Sequence, residues 1–573
     1  MKEKGAQVFI IFLMMNITQL YGQSSQIENA GDGMPQPATA EQMQWFRDAR
    51  YGLFIHWSPG CLSGKELSWS RRGHRPSDGD GHYEEEKTVP QDIYDNYYKR
   101  FNPTKFNAEE WVKIAKDAGM KYIVFTSKHH DGFSNFHTKY SDYNIANTPF
   151  KRDIVKELAD ACHEAGMRFG IYYSVRDWYH ADYLVGDNSR YREFYTGQLK
   201  ELLTNYGKVD ILWFDSTFGP ENLWNFKGVL EMIYQLQPDI LINDRYGGGW
   251  PGDYNTPENR LGAFNREKAW EACACLVDGQ WSFRPNGVML TFDETLGMLL
   301  GSVGGDGNLL LDIGPMPNGK IEERQVARLK DVGQWLGEYG KGIYETRGGP
   351  YISGYWGYST LKDDHIYLYL SPWDKDELVL PPIGKKILSS KILNGSNIKI
   401  IQEGDKLTID VPQKDRKKPF TVVELKIDGK AIEISPINVP ASGSLTLGKP
   451  ITAESNGMPR LWWHNPCQAF QAVDDNPNTR WRAEEGSSAA SLQVDLGEIR
   501  AFECGLIEDD DTVEAFEIQI KTEDDWETIY SGKSISRMHH IRFNSVMARF
   551  VRLNILSASD TPSIWEFQLY GKN

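Results

Sequence analysis

The sequence predicts an α/β barrel of the (β/α)8 type followed by two all-β sandwich domains. From residue 51 to about residue 340, short β-branched and aromatic runs alternate with helix-length amphipathic stretches, as expected of parallel strands joined by helices. So many units over about 290 residues favour a closed barrel over an open doubly wound sheet. Beyond residue 340 the helical pattern stops, and alternating strand patterns separated by turn signals follow.

The strand-like runs are 51–57, 121–127, 168–174, 209–215, 240–245 and 308–313. Helical patterns fall between and after them at 108–120, 151–166, 189–206, 223–236, 293–303 and 322–339. In the second of these, Ile154, Leu158, Ala161 and Cys162 share one stripe, and Gly166 supplies the stop. No Gly-x-Gly-x-x-Gly follows a strand, which argues against a dinucleotide fold. Residues 351–434 read as a small antiparallel sandwich, with turns at Asn394-Gly395 and Asp428-Gly429. A linker near 440–449 precedes the last domain. The expected boundaries are 1–22 for a leader, 38–345 for the barrel, 346–440 for the first sandwich and 449–573 for the second.

Composition narrows the function. At 573 residues the chain holds about three domains. Its 79 acidic residues exceed 63 basic ones, a net charge of −16 that repels nucleic acid and anionic lipid. Aromatic residues make up 12% and include 18 Trp, a surplus suited to stacking on sugar rings. Two lysines precede the apolar run 8–15, which is too short to span a bilayer, so the segment reads as a secretory signal and the protein as exported, periplasmic or secreted. No later stretch is long enough for a membrane span.

Six cysteines are too few for a disulfide framework in an exported chain of this size; Cys467 and Cys504 are a candidate pair within the C-terminal domain. Cys273-x-Cys275 lacks metal-site spacing, and no cofactor or metal is expected.

Polar groups gather where a barrel uses them, at the C-terminal ends of strands. His56 ends the first run, His129-His130-Asp131 the second, Tyr173 the third and Asp215 the fourth. Asp215 closes an apolar strand, where a carboxylate either performs chemistry or caps the next helix. Glycoside hydrolysis needs a second carboxylate, for which Glu271 and Glu66 are the candidates. Adjacent residues on a strand point to opposite faces, which disfavours a metal site at His129-His130-Asp131.

Several ordered motifs then carry a resemblance: Phe54-Ile55-His56-Trp57, Lys128-His129-His130-Asp131-Gly132-Phe133, Tyr143-Asn144, Trp213-Phe214-Asp215, Gly252-Asp253-Tyr254 with Thr256-Pro257-Glu258, Trp270-Glu271-x-Cys273, and Gly307-Asn308-Leu309-Leu310-Leu311-Asp312-Ile313-Gly314-Pro315. Across residues 42–354 the chain resembles glycoside hydrolase family 29, the retaining α-L-fucosidases. The resemblance implies an exo-acting enzyme that removes terminal α-linked L-fucose from fucosylated glycans by double displacement. It casts Asp215 as nucleophile and Glu271 as acid/base. It places His56, Glu66, Trp69, His129, His130, Tyr173, Trp213 and Arg260 around the sugar. The alternatives are a related glycosidase for a galactose-configured sugar, or a non-catalytic glycan-binding protein. The chain departs from the family pattern at Ser216-Thr217 after the nucleophile motif and at Gln280-Trp281-Ser282-Phe283, both bearing on the leaving-group side. An acidic, glycine-rich insertion spans 71–87 and reads either as a solvated loop or as a selectivity element.

The last domain resembles a discoidin, or coagulation-factor C-terminal, module through Ala472-Val473-Asp474-Asp475-Asn476, Thr479-Arg480-Trp481, Leu492-Gln493-Val494-Asp495-Leu496-Gly497, Arg549-Phe550-Val551-Arg552-Leu553 and 564–571. Such modules commonly bind terminal sugars; here Trp462 and Trp463 either serve that role or pack inside.

Overall fold

The computed structural model describes residues 33–75, 88–215, 221–277, 280–354, 356–373, 377–404, 406–439, 444–456, 468–474, 479–509, 512–523, 525–535 and 539–571. The expected leader 1–22, most of the 71–87 insertion, Ser216-Thr217, Trp462, Trp463 and Cys467 lie outside the described residues.

The barrel expectation is borne out. Eight parallel strands run β1 (Tyr51–Ile55), β2 (Tyr122–Lys128), β3 (Arg168–Ser174), β4 (Ile211–Asp215), β5 (Leu241–Ile242), β6 (Tyr254–Asn255), β7 (Ala269–Cys275) and β8 (Asn308–Ile313). Their order in the sheet is β5-β4-β3-β2-β1-β8-β7-β6, and a parallel bridge between Asn243 and Tyr254 brings β5 against β6. The strands β6 and β7 are absent from the sequence reading. The first is only two residues long, and the second, Ala-Trp-Glu-Ala-Cys-Ala-Cys, has small residues in place of the β-branched ones that mark a strand.

The barrel strands other than the two-residue β6 are buried on both faces, so their two side-chain sets join different cores. Phe54, Tyr122, Val124, Tyr172, Ile211, Trp213, Cys273 and Leu310 point inward and meet Met43, Phe46 and Ala49 of a preceding helix (Ala40–Ala49). That helix starts with a capping box at Thr39 and Gln42. The alternate set, including Leu53, Ile123, Ile171, Tyr173, Leu212 and Phe214, packs outward with the surrounding helices.

After the barrel, a five-stranded antiparallel sheet and a three-stranded one enclose a core of Leu361, Ile366, Leu368, Ile409 and Val423. The strand His365–Leu370 turns Ile366 and Leu368 to that core and Tyr367 and Tyr369 to the barrel's outer core, fastening the two domains. The C-terminal module is all-β, built around two 20-residue strands, Ala490–Asp509 and His539–Ala558. These pair antiparallel with register shifts between Asp495 and Arg500 and between Phe502 and Cys504. Among the described residues no helix is long and apolar enough to cross a membrane.

Candidate active site

A cavity of about 460 Å³, mouth included, opens at the C-terminal end of the barrel and is lined by Phe54, His56, Trp69, His129, His130, Tyr172, Trp213, Asp215, Arg245, Glu258, Cys273 and Trp281. Six of the sequence-predicted residues therefore meet there: His56, Trp69, His129, His130, Trp213 and Asp215.

Asp215 ends β4 on its inward-facing set. Its Oδ2 accepts a hydrogen bond from the Tyr172 hydroxyl at 2.8 Å and lies 3.4 Å from His130 Nε2; its Oδ1 is 3.3 Å from an Arg245 guanidinium nitrogen. Burial opposes ionisation, but the Arg245 charge, the Tyr172 bond and His129 outweigh it and hold the carboxyl below its ordinary range. Arg245 lies over the Trp213 ring at 4.6 Å and donates to Glu258 Oε2 at 2.7 Å and to Thr256 Oγ1 at 2.9 Å. One guanidinium thus touches two carboxylates, Asp215 at the strand end and Glu258 on the exposed rim.

Three histidines form a polar wall of the pocket. His56 Nδ1 sits 2.6 Å from Asp312 Oδ1, and burial pushes the imidazole down to about 3, with Asp215 opposing and Arg245 assisting. His129 and His130 are also held neutral, chiefly by burial and then by neighbouring positive charge. The Ser68 hydroxyl accepts from the Asp131 N–H at 2.9 Å and lies 2.6 Å from His129 Nδ1, which fixes the orientation of that ring. Neutral imidazoles suit a neutral sugar, because they bind hydroxyls without placing an uncompensated charge in a buried site. Aromatic surfaces supply the apolar half: His129, Tyr172 and Trp213 stack in series, at 5.4 and 5.5 Å between centroids.

His129 and His130 share one pocket, contrary to the expectation that adjacent residues diverge. The strand β2 stops at Lys128, and the chain then turns through Gly132 at φ +81°. A Cβ at Gly132 would lie 2.3 Å from Asp177 Oδ1, so glycine is required both by conformation and by space. Asp131 leaves the site altogether, accepting from the Tyr94 hydroxyl at 2.7 Å and the Phe133 N–H at 3.1 Å. His129, His130 and Asp215 bring potential metal-ligating atoms within 4.8 Å of one another, the one such group among the described residues.

Four expected residues lie elsewhere. Tyr173 faces the helices and donates to Gln198 Oε1 at 2.8 Å; its neighbour Tyr172 takes the inward position. Glu271 sits one inward layer below Cys273 on β7, wholly buried, accepting from the Trp213 indole at 3.1 Å and from the Tyr122 hydroxyl. Burial pushes its carboxyl up to about 7, against those bonds. Trp213, not Glu271, lines the cavity there. Glu66 likewise acts through others. It accepts N–H groups of Trp281 and Leu67, each at 2.7 Å, and so holds the Trp281 wall, while burial raises its carboxyl to about 7. Arg260 is exposed and lies 5.5 Å from the Trp565 ring of the C-terminal module.

Phe54, Tyr172, Arg245, Glu258, Cys273 and Trp281 are the lining residues absent from the site expected from sequence. Period-two alternation back from Asp215's neighbour Ser174 would have selected Tyr172, and Arg245 closes the fifth predicted run.

The comparisons with known proteins agree with this geometry. The sequence pattern of the alpha-L-fucosidase family matches residues 23–341, and that of the F5/8 type C domain matches 450–567. The chain is 31% identical to human plasma alpha-L-fucosidase over 391 residues, covering 63% of this chain and 82% of that protein. Alpha-L-fucosidase isoenzyme 1 from Paenibacillus thiaminolyticus superposes with a TM-score of 0.61 at 30% identity, over 68% of this chain and 99% of its own. An alpha-L-fucosidase from Bacteroides thetaiotaomicron, trapped as a covalent intermediate with 2-fluoro-fucosyl fluoride in a Glu-to-Gln mutant, matches at 29% identity and a TM-score of 0.61, over 71% of this chain and 100% of that one. With the family pattern spanning more than half of the sequence and the pocket built as described, the chain belongs to the alpha-L-fucosidase family of glycoside hydrolases and carries an F5/8 type C domain at its C-terminus.

Proposed function

We propose that the protein is a retaining exo-α-L-fucosidase, with Asp215 as nucleophile and Glu258 as acid/base. The observation that carries this reading is the shared guanidinium. Arg245 lies 3.3 Å from Asp215 Oδ1 and 2.7 Å from Glu258 Oε2, which caps the separation of those two oxygens at about 6 Å, near the spacing of retaining enzymes. Glu271, the acid/base expected from the sequence, lacks access to the pocket; Glu258 has it.

In the first step an Asp215 oxygen attacks the anomeric carbon, the bond to the leaving oxygen breaks, and Glu258 gives that oxygen its proton. In the second step Glu258 takes a proton from water, whose oxygen displaces Asp215 and restores the starting anomer. Arg245 keeps Asp215 ionised and is positioned to compensate negative charge as Glu258 cycles. Exo action is supported by the floor: Phe54, Trp213 and Cys273 close the base of the cavity, which suits a terminal sugar. The Bacteroides relative captured as a covalent fucosyl intermediate supports the same two-step route.

The test is chemical rescue on aryl α-L-fucosides. Asp215→Ala loses activity and with azide yields the inverted β-fucosyl azide, whereas Glu258→Ala with azide yields the retained α-fucosyl azide. Retained azide from Glu271→Ala, and none from Glu258→Ala, would reverse the acid/base assignment.

A further inference from the structure

The segment between β6 and β7 carries Glu258 and two residues later Arg260. Its inner side is pinned to β7: the Cys273 N–H donates to Pro257 O at 3.1 Å, the Asn259 N–H donates to Cys273 O at 2.7 Å, and Asn259 Oδ1 accepts from the Cys275 N–H at 3.2 Å. Asn259 then adopts φ +50° and turns the chain outward. The outward side reaches a different domain. The Arg260 guanidinium lies 5.5 Å from the ring centroid of Trp565, on the strand Ser563–Tyr570 of the C-terminal module, and Arg480 of that module lies 4.8 Å from the same ring. Both distances are within cation–π range.

An electrostatic relationship points to the same face. Glu294 stands in the first turn of the helix Phe292–Gly304, which follows β7 and so begins at the C-terminal end of the barrel strands. It acts electrostatically on His539 of the module, favouring the proton that burial disfavours there. The Arg260–Trp565 contact thus sets the module against the β6–β7 sector of the rim, where Glu258 lies.

We infer that Trp565 of the C-terminal module is a positioning residue for the acid/base: by engaging Arg260 it holds the segment that aims Glu258 at the leaving oxygen. This rests on the reading of Glu258 given above. Its consequence is specific. A misplaced acid impairs protonation of a poor leaving group, while an aryl oxide that departs without a proton is little affected.

The experiment compares kcat/KM for 2-chloro-4-nitrophenyl α-L-fucoside and for methyl α-L-fucoside in the full-length wild type, Trp565→Ala, Trp565→Phe, Arg260→Ala and the Trp565→Ala/Arg260→Ala double variant, with Glu258→Gln alongside. Trp565→Ala and Arg260→Ala are each expected to lower the methyl fucoside value about tenfold and the aryl value less than about twofold, with Phe restoring most of the loss and the double variant no worse than either single one. Arg260→Ala is an exposed change that carries the test even if Trp565→Ala does not fold. Equal losses on both substrates, additive losses, or no loss, with Glu258→Gln still selective for the methyl fucoside, overturn the positioning role and leave the acid/base reading standing. A Glu258→Gln variant without that selectivity overturns the acid/base reading itself.

Discussion

The Tyr172 hydroxyl donates a 2.8 Å hydrogen bond to Asp215 Oδ2, across the register that pairs Ser174 with Asp215 and Tyr172 with Trp213. This bond is one of the causes that keep Asp215 below its ordinary pKa. Tyr172→Phe removes it, so the nucleophile holds its proton to higher pH. The acid limb of kcat/KM is expected to move upward by up to about one pH unit, with the largest loss, approaching tenfold, on the acid side of the ordinary carboxylate range near 4 and little loss at pH 7. A pH–rate profile decides this, and an unmoved acid limb would count against Asp215 as the titrating base of that limb.

Tyr173 is the matching control. Its hydroxyl bonds Gln198 on the outer side of β3, away from the pocket. Tyr173→Phe is expected to cost about 1–2 kcal/mol in denaturant unfolding by leaving a buried amide oxygen short of a donor. Its kcat/KM should stay within about twofold of wild type.

Glu271 governs stability rather than catalysis on this reading. In the fold its carboxyl titrates near 7, above the ordinary 4.5, so between those values the native state holds more protons than the unfolded chain. That contribution is therefore fully present below about pH 4.5 and is lost as pH rises through about 7. Glu271→Gln accepts from the Trp213 indole and donates to the Tyr122 oxygen without a buried charge. The variant should gain on the order of 1–3 kcal/mol relative to wild type between pH 5 and pH 8, read from urea midpoints at both. Loss of methyl fucoside turnover comparable to that of Glu258→Gln would instead return Glu271 to the catalytic pair.

The Asp312–His56 pair anchors the first pocket-lining imidazole at 2.6 Å. Burial and the neighbouring Glu66 push the Asp312 carboxyl well up, so the pair carries a proton that fixes the ring. Asp312→Ala frees the ring to rotate, and kcat/KM should fall about 10–100-fold. Asp312→Asn keeps a hydrogen-bonding partner for Nδ1 and should recover most of that loss. Equal losses in the two variants would show that the ring orientation is set elsewhere.

What the sequence determined by itself is local and periodic. Apolar runs broken by amphipathic stretches specify strands and helices, and a polar residue ending an apolar strand marks the catalytic end of the barrel; His56, His129, His130 and Asp215 were legible for that reason. Tertiary structure decided the rest. Whether Tyr172 or Tyr173 faces the pocket depends on the inward register of a strand buried on both sides, where hydrophobicity does not distinguish the faces. Whether Glu271 or Glu258 reaches the pocket depends on depth along β7 and on a segment whose course Asn259 and the Cys273 ladder set. Arg245 gains its role only because barrel closure brings Asp215 and Glu258 to one guanidinium. The meeting of Arg260 with Trp565 joins residues from two domains, and short-range pattern carries no information about such a contact.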